Sequence, residues 1–152
     1  MRKIDSNHPF YNEEFKERLA RNQFLEWAFV HNNYYGTLEE FIDHRIIEGI
    51  DVVMDIDVQG ARKVMKKRED AIFIFIAPPG LDTNVLRQRL EGRNTEDIEQ
   101  INQRIATAEA ELKAVFEYRY LIINNTIDEA VKDLKAVIRA ARCQSRLYED
   151  SF

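Results

Sequence analysis

The run Ala71-Ile72-Phe73-Ile74-Phe75-Ile76-Ala77 is apolar at every position and ends on Pro78-Pro79-Gly80. Successive side chains of a strand point to opposite faces, so a strand with one wet face alternates apolar and polar residues. A run without alternation belongs in a sheet covered on both sides. Proline then removes a backbone donor and ends the ladder. The run is also far shorter than the about 20 residues of a membrane-spanning helix. It predicts a buried strand of a parallel sheet flanked by helices.

The rest of the chain is consistent with that sheet. Residues 12–22 alternate charges with Phe15 and Leu19 at helical spacing. Thr37-Leu38-Glu39-Glu40 has the form of a capping box and opens a helix to about Glu48, which Gly49 closes. A short apolar strand is expected at Ile50–Asp55 and a helix at Val58–Lys67. From Asp82 to about Leu90 the pattern is helical, and Gly92-Arg93-Asn94-Thr95 breaks it. The next helix carries Ile98, Ile101, Ile105, Ala108, Leu112 and Val115 on one stripe. That stripe is expected to pack on the sheet or on another helix, since a dimerising coiled coil needs about three to four heptads. Tyr120–Ile123 reads as a third buried strand, and Thr126-Ile127-Asp128-Glu129 as a second capping box opening a helix to about Arg142. Strands alternating with helices make the fold class α/β.

The 152 residues show no Pro/Gly/Ser-rich break, so residues 1–152 are expected to form one domain. With 45% hydrophobic and 32% charged residues, the chain can fill a core and is too balanced for intrinsic disorder. A net charge of −5 provides no general basic field for nucleic acid or an anionic membrane. Any phosphate ligand must meet a local cluster of positive side chains. Met1-Arg2-Lys3 leads into polar residues and not into a signal sequence, which predicts a cytoplasmic protein. The single cysteine, Cys143, cannot form an internal disulfide and reads as an inert residue of the last helix. His8, His31 and His44 have no metal-ligand spacing, so no metal site is expected from them.

Three segments carry the functional signal: Phe24-Leu25-Glu26-Trp27-Ala28, Asn33-Tyr34-Tyr35-Gly36-Thr37, and Asp55-Ile56-Asp57-Val58-Gln59-Gly60. Taken singly they read blandly, with Trp27, Tyr34 and Tyr35 as core aromatics around a turn at Gly36 and Glu26 as a surface acid. The third lies where a strand is expected to give way to a helix, the position at which parallel sheets bind ligands. Asp57 there also reads as a helix N-cap. Taken together, the three resemble the nucleoside-monophosphate half of the guanylate kinases, over roughly residues 8 to 140.

That resemblance implies a nucleoside monophosphate kinase fold and ATP-dependent phosphorylation of GMP to GDP. The GMP-binding part would be about 8–50, the core 51–91 and 118–145, and the lid about 92–104. Glu26 would accept the N1 and amino protons of guanine, Thr37 would bond its carbonyl oxygen, and Tyr35 would donate to the phosphate. Asp55 and Asp57 would lie at the guanine and phosphate side of the cleft. Leu86-Arg87-Gln88-Arg89-Leu90-Glu91-Gly92-Arg93-Asn94-Thr95 resembles the family's lid. Arg89, Arg93 and, on the next helix, Arg104 would clamp the transferred phosphoryl group. Arg87 reads as a solvated residue. Ile123-Asn124-Asn125-Thr126 resembles the stretch near the adenine of ATP, with Asn124 matching. Departures from the family are Phe29, where a polar residue is common, and Asn32, which replaces a glycine.

No Gly-x-x-x-x-Gly-Lys-Ser/Thr stretch, the loop that wraps ATP phosphates in the resembled family, occurs in these residues. ATP and Mg2+, the family's cosubstrate and metal, are therefore expected to bind poorly to this chain alone, and catalysis by it alone is not expected. Three readings are open. One is a guanylate kinase lacking its N-terminal portion, which retains the GMP-binding and lid parts. Another is a non-catalytic interaction module. The last is half of a split kinase, whose N-terminal fragment acts in trans.

Overall fold

The structure is a computed structural model and describes residues 9–30, 33–93 and 96–143. The chain divides into two units, Met1–Ala71 and Ile72–Phe152.

In the first unit, helix α1 (Pro9–Ala20) carries the buried Phe15. Its ring stacks on Phe24 at 4.2 Å and on Tyr34 at 4.9 Å between centroids. Those rings come from β1 (Phe24–Val30) and β2 (Asn33–Leu38), an antiparallel pair. Gly36 thus lies in mid-strand opposite Trp27, not in a turn. Helix α2 (Glu39–Ile47) follows at once and closes on Gly49 at φ +75°. The capping box expected at Thr37 does not form: α2 starts after Leu38, which makes no side-chain cap, and Thr37 belongs to β2.

Ile50–Asp55 is not a regular strand. A strand needs a hydrogen-bonded neighbour, and the two ladders among the described residues are formed by other segments. Ile50 and Val53 are left exposed. Helix α3 (Val58–Met65) is capped by Asp57, as its sequence predicts, and ends two residues before the expected Lys67. It buries Val58, Ala61 and Val64 and packs on β1. Just beyond α3, Arg68 donates to Asp43 at 2.5 Å and to Asp70 at 3.0 Å. The bond to Asp70 raises the guanidinium pKa above its ordinary value, with partial burial opposing this and Asp43 reinforcing it.

In the second unit, β3 (Ile74–Ala77) pairs in parallel with β4 (Tyr120–Ile123), Ile74 opposite Tyr120 and Ala77 opposite Ile123. The ladder stops where its four-residue partner stops, so the apolar residues 71–73 precede it. Ala77 and Ile122 are buried, whereas Ile76 is 55% and Leu121 45% exposed. The expected burial of this strand on both faces is not met among the described residues.

Helix α4 (Thr83–Glu91) starts at Asp82, whose carboxylate accepts from the Asn84 N–H at 2.8 Å. Helix α5 (Ile98–Leu112) starts with a reciprocal box. Asp97 accepts from the Gln100 N–H at 2.8 Å, and the Gln100 side chain accepts from the Asp97 N–H at 3.1 Å. Leu90, Ile101 and Ile105 form the core between α4 and α5, with Leu86 against it. Ile98, at the first turn of the predicted stripe, is 64% exposed. Helix α6 (Ile127–Ala141) begins at Thr126, which accepts from the Glu129 N–H, and packs on β4. Cys143 lies exposed beyond its end.

Candidate functional site

The site in the first unit begins with an irregularity. Phe24 opposes Leu38 and Glu26 opposes Thr37, so two steps on β1 match one on β2, and Leu25 is the additional residue of a bulge. Directly opposed residues share a face. Glu26, Ala28, Tyr35 and Thr37 therefore occupy one face of the pair, and Trp27, Phe29, Tyr34 and Gly36 the other.

The second face is an aromatic layer, with Tyr34 4.6 Å from Phe29 and 6.4 Å from Trp27 between ring centroids. The bulge brings Phe24 onto this face as well, over Gly36. A Cβ at Gly36 would stand 2.7 Å from Phe24 Cδ1 and 3.0 Å from the Glu26 carbonyl oxygen. Glycine is the residue that lets ring and backbone approach this closely.

On the first face, Glu26 is only 8% exposed and alone among the described residues combines a charge with full burial. It is not the surface acid of the bland reading. A buried carboxylate must be hydrogen-bonded, since desolvation of an unpaired one costs several kcal/mol or about that order. Thr37 Oγ1 donates to its Oε1 at 2.8 Å. Its other oxygen, Oε2, lies toward α3, where a Cβ on Gly60 would come within 3.7 Å.

Asp57 reaches the same place from the other side, accepting from the Gly60 N–H at 2.7 Å as the N-cap of α3. Glu26, Thr37 and Asp57 are thus brought together around Gly60. Tyr35 is half-buried on the face they share, and Asp55 is exposed in the segment leading to α3. A depression of about 250 Å3 opens beside β1, lined by Glu26, Trp27, Lys63 and Lys67 among others. That is below the usual ~300–1,000 Å3 of small-molecule pockets.

The second unit holds the remaining predicted residues. Arg89, on α4, donates to the carbonyl oxygens of Asn124 at 2.9 Å and Asn125 at 3.0 Å. Arg89, expected at the transferred phosphoryl group, and Asn124, expected near the adenine of ATP, are therefore in direct contact. Arg93 is exposed just past Gly92, the C-cap of α4. Arg104, on α5, is paired with Glu96, whose second oxygen is buried with no partner. Arg87, partly exposed, bonds Asn102 at 2.9 Å. Among the described residues no three His, Cys, Asp or Glu side chains gather as a metal site. His44 is exposed, whereas His8 and His31 lie outside the described residues, as do Asn32 and Asn94-Thr95 of the motifs.

The family model described as guanylate kinase matches residues 4–141. The chain belongs to the guanylate kinase family. Among curated guanylate kinases, that of Caldanaerobacter subterraneus subsp. tengcongensis is 43% identical over 143 residues, covering 93% of this chain and 68% of the relative. The guanylate kinase of Clostridium perfringens is 40% identical over 144 residues, covering 94% of this chain and 66% of the relative. That of Shewanella oneidensis is 45% identical over 130 residues, covering 86% and 62%. The chain thus spans about two thirds of the length of the guanylate kinases it matches. Among solved structures, guanylate kinase from Anaplasma phagocytophilum superposes with a TM-score of 0.68 at 26% identity, covering 95% of this chain and 72% of that one. The α/β fold is that of the guanylate kinases.

Two features of this guanylate kinase-family site escaped the sequence reading. One is the bulge at Leu25. The other is the contact of Lys63 and Lys67 with β1. Lys63 Nζ donates to the Trp27 carbonyl at 2.5 Å and lies 4.7 Å from the centre of the indole ring. Lys67 Nζ donates to the Phe24 carbonyl at 2.8 Å and to Asn22 Oδ1 at 3.0 Å. Their spacing of four residues was the available signal, since such residues lie on one side of a helix.

Proposed function

We propose that this chain is the acceptor-binding and lid portion of a guanylate kinase, and that it binds GMP through the face of β1 and β2 that carries Glu26. The observation that carries this reading is the buried Glu26 carboxylate held by Thr37 beside the Asp57-capped start of α3. A fixed carboxylate in a partly dry site reads the adjacent N1 and amino protons of guanine well, because ionised acceptors make the stronger hydrogen bonds. Adenine presents no such pair of donors there. When GMP binds, Thr37 turns its one hydroxyl proton from Glu26 Oε1 to the base carbonyl, Tyr35 serves the phosphate, and Asp55 and Asp57 complete the polar wall. Arg89, Arg93 and Arg104 neutralise the transferred phosphoryl group in the whole kinase reaction, ATP-dependent conversion of GMP to GDP.

The residues present do not form a cradle for a triphosphate and its magnesium. No glycine-rich loop with its lysine occurs in the sequence. Asn124 remains the residue we assign to the adenine side. This chain by itself is therefore expected to bind GMP without phosphorylating it. One domain with a GMP part at about 8–50 and a lid at about 92–104 fits this assignment, as does a cytoplasmic location. No helix among the described residues is long and apolar enough to cross a membrane.

The exposed Ile76 and Leu121 favour a second reading, in which another polypeptide covers the β3–β4 sheet and supplies the phosphate loop. Calorimetric titration with GMP and AMP, after circular dichroism has shown the chain folded, tests the first reading. Selective GMP binding supports it. A folded chain that ignores both nucleotides refutes it and leaves the interaction-module reading. Kinase activity that appears only on adding a phosphate-loop fragment supports the second.

A further inference from the structure

Helix α3 meets β1 at three successive points. Near its start, Gly60 faces Glu26 Oε2. In its last turn, Lys63 donates to the Trp27 carbonyl. Just past its end, Lys67 donates to the Phe24 carbonyl. The two lysine-bonded carbonyls flank Leu25 and Glu26, the stretch in which the β1–β2 register shifts. A bulge disrupts the local ladder, so its backbone needs other partners. The carbonyls on either side of it, of Phe24 and Trp27, each accept from an ammonium group, and such bonds are stronger than neutral ones. Lys67 is itself held by Asn22 Oδ1 at 3.0 Å and approaches Glu39 to 3.9 Å, and Lys63 is held over the Trp27 ring.

We propose that Lys63 and Lys67 are positioning residues that latch the bulged strand to α3 and thereby fix the Glu26 carboxylate relative to Asp57. The role in base reading rests on the GMP reading above. Neither lysine need touch the nucleotide. Both set the distance between the group that reads the base and the helix start beside it. Asp57 caps the start of α3, Lys63 lies in its last turn and Lys67 just past its end, so a shift of β1 along α3 would move Glu26 off the base edge.

The test compares the unsubstituted chain with the double variant Lys63→Met, Lys67→Met, which keeps the apolar stems and removes the ammonium groups. Lys63→Arg, Lys67→Arg retains the charges. Amide hydrogen exchange over residues 25–28 needs no nucleotide, and calorimetry with GMP and IMP compares ligands differing in the 2-amino group. In the methionine variant, exchange in 25–28 is expected to rise about fivefold or more relative to α3, since local opening follows local bonding. The GMP preference over IMP is expected to fall about tenfold, the scale of one charged hydrogen bond. The arginine variant is expected to retain most of both.

Unchanged exchange overturns the latch. Faster exchange with an unchanged GMP-to-IMP ratio overturns the positioning role, because a purely structural contact would loosen the strand without altering base discrimination. Absence of any GMP preference in the unsubstituted chain overturns the GMP reading and the base-reading role together, while the exchange measurement still decides the latch. Should the methionine pair unfold the chain, Lys63→Met alone is read by the same two measurements.

Discussion

Thr37 donates its hydroxyl proton to Glu26 Oε1 across the β1–β2 pair, at 2.8 Å and between residues directly opposite one another. The bond satisfies one oxygen of a carboxylate that water scarcely reaches. Thr37→Val keeps the shape of the side chain and removes the donor. Urea unfolding is expected to show a loss of about 1–3 kcal/mol, the cost of leaving a buried acceptor unpaired. Thr37→Ser should unfold within about 1 kcal/mol of the unsubstituted chain, since the hydroxyl remains. Equal stability of the valine and serine variants would show that this bond does not hold Glu26.

Gly36 has no room for a side chain beneath Phe24. Gly36→Ala is expected to destabilise the first unit by about 1–3 kcal/mol through overpacking, with the near-ultraviolet signal of the aromatic layer altered. Combining it with Phe24→Leu opens space at the point of collision and should recover part of that loss. Independent, additive effects of the two substitutions in urea unfolding would argue against the contact.

Arg89 ties α4 to the turn after β4 through two carbonyls. Arg89→Met should leave these acceptors unbonded and lower stability by about 1–2 kcal/mol, with hydrogen exchange rising around residues 124–126. Arg89→Lys can reach one carbonyl and not both in the same planar geometry, so an intermediate loss is expected. Loss of nucleotide-dependent function with no change in exchange at that turn would show that these two bonds do not hold the turn and leave Arg89 its role on the phosphoryl group alone.

The reciprocal cap of α5 is a local feature with a local cost. Asp97→Ala should lower thermal stability by about 1 kcal/mol, and Gln100→Ala by less, since each removes a different half of the box. Thermal melts of the two variants and their combination decide whether the halves support each other.

The helices were legible because their signals are local. Thr126, Asp57 and the residues from Asp82 onward announced the starts of α6, α3 and α4, and Gly49 the end of α2. The β3–β4 pair was legible from its apolar runs. The β1–β2 pair was not, because the bulge sets buried Phe24 and Leu25 side by side and spoils the alternation by which a strand is recognised. The motif residues around Glu26 were legible by resemblance, but their geometry was not. The buried Glu26 is bonded by Thr37 from the other strand, and carbonyls of β1 are bonded by lysines 36 and 43 residues away. Thr37 also shows how one short signal can serve two ends: its spacing to Glu40 suggested a cap, and the fold directs its hydroxyl to Glu26 instead.

The single additional residue at Leu25 works as a change of parity in the hairpin. Upstream of it Phe24 lies on the same side as Trp27; downstream, Glu26 falls in step with Tyr35 and Thr37. If Leu25 took its place in ordinary alternation instead of bulging, Phe24 and Glu26, two residues apart, would fall on one side of the strand. Phe24 would leave the aromatic layer, or Glu26 would have to enter it. The bulge thus leaves Phe24 with the oily face and Glu26 with the acid-bearing one, although only one residue separates them on a strand of seven.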